Sequence, residues 1–473
     1  MELKIRSVAF AGRHCRTRIP FRFGKVTLVE APLLTARVVI EVDGREWSGY
    51  SADLAMPKWF AKNPVSRPAE DWEQLFASAR RAATAFRGAA GTPFGIWREA
   101  DTRCTQGQLA SGIALVDGFG VALLERALID AACRAAQLSF RHALEQDLFG
   151  FDPGALLPET AGLTGAGLLA ARPPDRVVVR HTVGGVDVLR ASEVAAELRG
   201  RDDHPVALEE DIRRYGLRAF KLKVGGDPAA DFHRLIQISH VLAEHVPITP
   251  LITLDGNEQY EDLAQLARLI DRLASDPDGR RLVEGLAYIE QPLPRARTFD
   301  PTTADDVHAL GQTAPLLIDE ADDSIDAFSR AWEIGYRGVS VKNCKGIFRA
   351  LANRALCLVR GGDAFQTSED LTNLPVLSLQ QDLTLVAALG LPHSERNGHH
   401  FFPGLDVVPP AEAEAALLAH PDLYERRGER IVLRICDGEM SLACQHATGF
   451  GYALAIDWDG RLPLDRLAGE ASA

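Results

Sequence analysis

Residues 220–345 decide the fold, because five short apolar runs there each end in charged residues: Phe220-Lys221-Leu222-Lys223, Leu254-Asp255-Gly256-Asn257, Ile289-Glu290-Gln291-Pro292, Ile318-Asp319-Glu320 and Val341-Lys342-Asn343-Cys344-Lys345. Read outward from them, short strands are expected at 177–180, 219–224, 251–254, 287–289, 316–318, 338–341, 364–367 and 389–393. Amphipathic stretches at 230–243, 262–273, 325–334 and 348–359 separate several of these as helices. Strand and helix alternating at roughly 30 residues per unit is the βαβ pattern, and about eight such strands close a TIM-type α/β barrel. An open, doubly wound sheet is the alternative. In a barrel the C-terminal strand ends open on one face, where polar residues form a site.

A chain of 473 residues exceeds one compact core, so the barrel needs a second domain beside it. The formal charge of -13 argues against nucleic-acid or anionic-membrane partners and favours a small molecule. Met1-Glu2-Leu3-Lys4 leads into no apolar leader, and no apolar run approaches the ~20 residues of a membrane span, so a cytoplasmic protein is expected. Seven scattered cysteines without a CxxC pair do not form a disulfide or zinc framework.

Strand patterns at 5–10, 25–30 and 36–41, with Asp43-Gly44 as a hairpin turn, open the chain as an antiparallel sheet. Helical patterns follow at 69–86 and 121–144, the second with Leu124, Leu128, Ala131 and Ala135 on one face. Gly118-Phe119-Gly120 lacks the third glycine and the preceding strand of a dinucleotide loop. The Gly/Pro/Ala-rich stretch 153–174 reads as a linker. Strands are expected again at 430–436 and 452–456, in a tail that can fold back onto the first domain. The division is therefore 1–160 as an α+β domain, 175–405 as the barrel and 406–473 as the returning tail.

Side chains two apart on a strand share a face, so Lys221 with Lys223, and Asp255 with Asn257, point into the barrel mouth. Asp255, Glu290 and Asp319 then converge from three successive strand ends. Such a cluster repels itself without a cation, and hard oxygen donors suit Mg²⁺. Asp319 is also a plausible helix cap, in which case Glu320 takes its place. A partly desolvated lysine beside that cation has a lowered pKa and can act as a general base.

These residues resemble the enolase superfamily, specifically its muconate lactonizing enzyme subgroup, over 177–397. The family shows, in this order, a KxK strand, an acid with Asn two residues on, Glu before Gln-Pro, an Asp-Glu pair and a further lysine. The resemblance implies a (β/α)7β barrel with an α+β capping domain built from the N-terminus and the C-terminal tail. It implies Asp255, Glu290 and Asp319 as Mg²⁺ ligands, Lys223 and Lys342 as paired acid/base catalysts, and Lys221 as the assistant of Lys223. Leu124-Glu125-Arg126-Ala127-Leu128-Ile129-Asp130 and Gly449-Phe450-Gly451 resemble segments of the family's cap. Loops at 20–24 and 50–58 would close over the substrate, with Tyr50, Asn257 and Glu369 as substrate contacts. The implied reaction is proton abstraction alpha to a carboxylate through an ene-diolate, as in a racemase, epimerase or cycloisomerase. Acid-sugar dehydration, syn elimination and a non-catalytic carboxylate-binding barrel are the alternatives. Thr367-Ser368-Glu369-Asp370 at the seventh strand end lacks the histidine of a His/Asp dyad. His393, His399 and His400 read as surface loop histidines outside the metal set. The expected partners are a small carboxylate and further copies of the chain.

Overall fold

A computed structural model describes residues 1–23 and 26–470. Gly24, in the expected closing loop, and Lys25, in the expected strand at 25–30, lie outside the described residues. The chain opens with β1 (Leu3–Phe23), β2 (Val26–Val42) and β3 (Arg45–Leu54), an antiparallel sheet. Asp43 (φ 50) and Gly44 (φ 75) form the β2–β3 turn, both left-handed, which matches the twist of a two-residue hairpin. The strands run far longer than their apolar cores at 5–10 and 36–41, because the mixed segment Arg13-His14-Cys15-Arg16 still pairs through its backbone with residues 30–33, and pairing resumes at Phe21 after a register shift.

Helices α1 (Pro68–Phe86), α2 (Pro93–Thr105) and α3 (Ala114–Ala136) cover one face of that sheet. The approach of α3 to β3 is so close that a Cβ on Gly49 would fall 2.1 Å from the Ala127 carbonyl oxygen. Gly120 lies within α3, where a Cβ would meet Ser78 O at 2.5 Å. The Gly118-Phe119-Gly120 run therefore serves helix packing. The single helix expected at 121–144 is two, because Gln137 turns left-handed (φ 58) and ends α3 before α4 (Phe140–Glu145) begins.

The expected linker 153–174 holds three single-turn helices, Pro153–Ala155, Pro158–Thr160 and Gly165–Leu168. After it come β4 (Arg176–Val183), β5 (Ala219–Lys223), β6 (Leu251–Asp255), β7 (Leu286–Glu290), β8 (Leu316–Ile318), β9 (Gly338–Val341), β10 (Phe365–Ser368) and β11 (His393–Arg396). Each pairs in parallel with the next, and β11 pairs with β4 (Glu395↔Arg180, Arg396↔His181), closing an eight-stranded barrel. The open-sheet alternative is excluded. Helix α5 (Leu208–Tyr215) follows β4 and α6 (Pro228–His245) follows β5. The eighth strand starts at His393 and not at Leu389. Leu389 ends α7 (Leu377–Leu389), a helix buried on every side, whose apolar last turn, Leu385-Val386-Ala387-Ala388-Leu389, shows no amphipathic period to distinguish it from a strand.

The tail departs from expectation at 452–456, which forms no strand, and the strand expected at 430–436 is Arg430–Leu433, paired with Tyr424–Arg427. Segment Glu439–Ser441 adds antiparallel to β4 outside the barrel, and Leu462 and Pro463 pair with Gly12 and Ala11 of β1. The tail thus returns to the cap. There the buried Asp130 of α3 accepts from Tyr50 N (3.0 Å), Phe450 N (2.8 Å), Arg134 Nε (3.0 Å) and the Tyr452 hydroxyl. No helix among the described residues is long and apolar enough to cross a membrane.

Candidate active site

Every charged strand end of the 220–345 stretch opens on the same face of the barrel. In register, Lys223 of β5 lies beside Asp255 of β6, and Asp255 beside Glu290 of β7. Asp319 follows β8 directly and Lys342 follows β9. Above them a cavity of about 440 Å³ is lined by Lys221, Lys223, Lys342, Asn257, Asp370 and Glu395 from the barrel and by Phe21, Met56, Lys58 and Trp59 from the cap. Lys223 and Lys342 stand on the second and sixth strands of eight, half a turn apart, and reach this one cavity.

Each lysine meets an acid. Lys223 Nζ is 2.5 Å from Asp255 Oδ2, and Lys342 Nζ is 2.5 Å from Asp319 Oδ2 and 4.6 Å from the ring centre of Trp59. Lys221 is enclosed, with its ammonium at 2.9 Å from Asp255, 2.7 Å from Glu290, 2.9 Å from Glu369 and 2.9 Å from Glu395. Its expected role beside Lys223 is therefore extended: it holds four carboxylates in place. Lys345 backs Asp319 through the Asp319 carbonyl (2.5 Å) and Ser340 Oγ (2.7 Å).

The electrostatics follow from this pairing. Burial, the largest single influence, would lower the Lys342 ammonium, but Asp319, Glu290 and Glu395 together hold Lys342 above the ordinary lysine range. Lys221 is held above that range in the same way, chiefly by Asp255 and Glu290. Without a cation the nearest charges to Lys221 and Lys342 are carboxylates, which hold both lysines up; the lowered pKa expected of a lysine belongs to the state with a cation beside it. Burial would raise Asp319, yet Lys342 and Lys345 hold it well below the carboxylate range. Glu290 goes the other way: burial, then the Asp255 and Glu369 carboxylates, push it well above that range despite Lys221.

Whether a divalent cation suits Asp255, Glu290 and Asp319 can be judged from these groups. Three carboxylates on neighbouring strand ends are the hard-oxygen set that Mg²⁺ takes, usually together with water and substrate oxygens. The upward pressure on Glu290 marks an unmet demand for positive charge. Buried Glu320 Oε2 also receives no hydrogen bond, while its other oxygen accepts from Asn257 Nδ2 (2.5 Å) and Lys62 Nζ (3.2 Å). The donor set fits the cation.

Asn257 borders the cavity as expected, but it is oriented by Glu320. The expected substrate contact Glu369 is corrected: it is buried below the cavity, against Lys221, Arg180 (2.5 Å) and the Tyr288 hydroxyl (2.9 Å). Tyr50 is corrected too. Its ring lies 6.0 Å from that of Trp458 in the tail, while the neighbouring loop supplies Met56, Lys58 and Trp59. Of the other closing loop, Phe21 and Arg22 reach the cavity, and Phe21 stacks on Phe401 at 4.0 Å. Sequence reasoning missed Glu395, Arg180 and Trp59. The alternation His393-Ser394-Glu395-Arg396 carried a signal for Glu395, hidden by ending the eighth strand at His393.

The histidines are not surface groups. His393 is buried against Arg180, with His393 Nδ1 2.9 Å from Arg180 Nη1. His400 joins His181 and Asp211, with one ligand-type atom of each within 4.8 Å of the others. This grouping lies outside the barrel wall, since Thr182 faces the cavity and its neighbour His181 points the other way.

A closed parallel barrel capped by an α+β domain, with acids and lysines at its C-terminal strand ends, defines the class of architecture. No protein-family model matches the sequence and no curated protein does. Among solved structures, the muconate lactonizing enzyme from Pseudomonas putida superposes with a TM-score of 0.60 at 16% identity, over 98% of this chain and 99% of that one. The Pseudomonas fluorescens enzyme complexed with muconolactone gives 0.60 at 16%, over 97% and 99%. An enolase from Bradyrhizobium complexed with magnesium and mandelic acid gives 0.59 at 18%, over 97% and 98%. The chain has the fold of the enolase superfamily.

Proposed function

We propose that this chain is an enolase-superfamily enzyme of the muconate lactonizing subgroup that removes the proton alpha to a carboxylate. The reading rests above all on Lys223 and Lys342, which enter one cavity from strands half a turn apart. In that arrangement each ammonium or amine addresses one face of the same carbon. Asp255, Glu290 and Asp319 are the proposed holders of Mg²⁺. Bound there, the cation would supply positive charge to the substrate carboxylate as negative charge develops.

The chain's own groups set the proton inventory. Lys342, kept protonated by Asp319 and faced by the Trp59 ring, is the natural proton donor as the chain stands. Relief of the Asp319 pairing lowers the proton affinity of Lys342 and makes it a competent base. Lys223, 2.5 Å from Asp255, is the second exchanging group. Lys221 orders Asp255, Glu290, Glu369 and Glu395, and cap residues Met56, Lys58 and Trp59 screen the site from water. A lysine on each face suits racemisation or epimerisation, while cycloisomerisation or syn elimination uses one. The class is isomerase or lyase, and the substrate is a small carboxylate. The test is a library of carboxylates incubated in D₂O with Mg²⁺ and read by mass. At least one acid should gain deuterium at its alpha carbon, and no exchange in any acid across a broad library would overturn the assignment.

A further inference from the structure

We propose that the chain carries a second metal site, separate from the barrel mouth, in which His181, Asp211 and His400 bind a zinc ion. The three come from distant segments. His181 projects outward from β4, Asp211 lies on α5 facing it, and His400 belongs to the short helix Gly398–Phe401 after β11. They are buried, with 3%, 0% and 6% of their surface exposed.

The geometry is that of ligands around a small ion. Asp211 Oδ2 is 2.8 Å from His400 Nδ1 and 3.9 Å from His181 Nε2. Ligand atoms at ~2.0–2.1 Å in a tetrahedral zinc site stand about 3.4 Å apart, so the two separations bracket the required spacing. Asp211 Oδ1 receives no hydrogen bond, and Oδ2 meets only the imidazoles of His400 and His181. A fully buried carboxylate whose partners are imidazoles costs several kcal/mol unless a positive charge, an imidazolium or a metal ion, meets it. The Arg18 guanidinium acts on Asp211 through space, but its hydrogen bonds go to His400 O (2.8 Å), Asp202 Oδ1 (3.1 Å) and Pro205 O.

The surroundings have the form of an outer ligand shell. His181 Nδ1 meets His399 Nε2 at 3.2 Å, which orients the His181 ring with its Nε2 directed at Asp211. Imidazole nitrogen with one carboxylate selects zinc over Mg²⁺, which prefers all-oxygen ligands. The ion would clamp the segment after β11 onto β4 and α5. That segment carries Asn397 and Phe401, both in the cavity wall, so the clamp shapes the site without touching the chemistry.

The test uses the full chain, stripped with chelator, refilled with Zn²⁺ in the presence of excess Mg²⁺ and assayed by elemental analysis after gel filtration. One equivalent of zinc should remain, and none in His181→Gln, Asp211→Asn or His400→Gln. Asp255→Asn, which changes the barrel mouth, should retain the full equivalent. Substitution with Co²⁺ should give the visible bands of a four-coordinate site in the wild-type chain, so the result does not depend on the variants folding. Absence of retained zinc together with absence of cobalt bands overturns the proposal, as does zinc lost in Asp255→Asn but kept in His400→Gln.

Discussion

Lys221→Met is the most informative single change, because one ammonium faces four carboxylates and is itself 1% exposed. Methionine keeps the volume and deletes the charge. Removing one partner of a buried pair typically costs about 3–5 kcal/mol, since the remaining charge stays desolvated. Here four acids lose a common partner, although Arg180 still holds Glu369 and Lys223 still holds Asp255. A loss at or above ~3 kcal/mol is therefore expected in urea unfolding at pH 7 with chelator present. The uncompensated acids will take up protons in the folded state, so their folded pKa rises. A group with a raised folded pKa contributes stability at low pH and loses it as pH rises. The deficit should accordingly grow from pH 5 to pH 8. Added Mg²⁺ should restore part of the loss, since the cation no longer competes with an ammonium. A variant as stable as the wild type in chelator, or a deficit independent of pH, would refute the reading of Lys221 as the keystone of the charge cluster.

Lys223→Ala and Lys342→Ala should each lose about 10²–10⁴ in turnover while keeping the circular-dichroism spectrum of the wild type, and Lys223→Arg should rescue little because arginine stays protonated. Near-normal turnover in Lys342→Ala with every accepted substrate would rule out the two-lysine scheme. Mg²⁺ should raise the melting temperature, and Asp255→Asn, Glu290→Gln and Asp319→Asn should each abolish that rise; a larger effect of Glu320→Gln than of Asp319→Asn would shift the third ligand by one residue. Burial, followed by Arg180, pushes His393 down from 6.5 to about 3, so its neutral form belongs to the folded state. Its contribution is complete above pH 6.5 and is lost as pH falls toward 3, on the order of 5 kcal/mol over that window. His393→Gln, which retains an acceptor for Arg180 without titrating, should flatten the decline seen in denaturant midpoints between pH 7 and pH 4.

The barrel was legible because its strands are short apolar runs cut off by charges, and β8 and β9 fall where those runs lie. Legibility failed where burial removes periodicity. Helix α7 is buried all round and its last turn, Leu385 to Leu389, is wholly apolar, so that turn imitates a strand and displaces β11, and with it Glu395. Lys221 with Lys223, and Asp255 with Asn257, were readable from strand parity, and Glu290, Asp319 and Lys342 from their places at strand ends. The environment of each was not: the partners of Lys221 come from as far as Glu395, and the ring beside Tyr50 belongs to Trp458. Those contacts are set by closure of the barrel and return of the tail, which leave no local pattern.

Asp130 imposes an order of events on synthesis. Its amide partner Phe450 lies 320 residues further along the chain. At about 5–20 residues per second a ribosome needs roughly 16–64 s to deliver it. For that interval the long helix of the cap has its N-terminal sheet but lacks the amide of Phe450 and the hydroxyl of Tyr452. The first segment made is therefore among the last to be completed, and the nascent cap is the stretch a chaperone would be expected to hold.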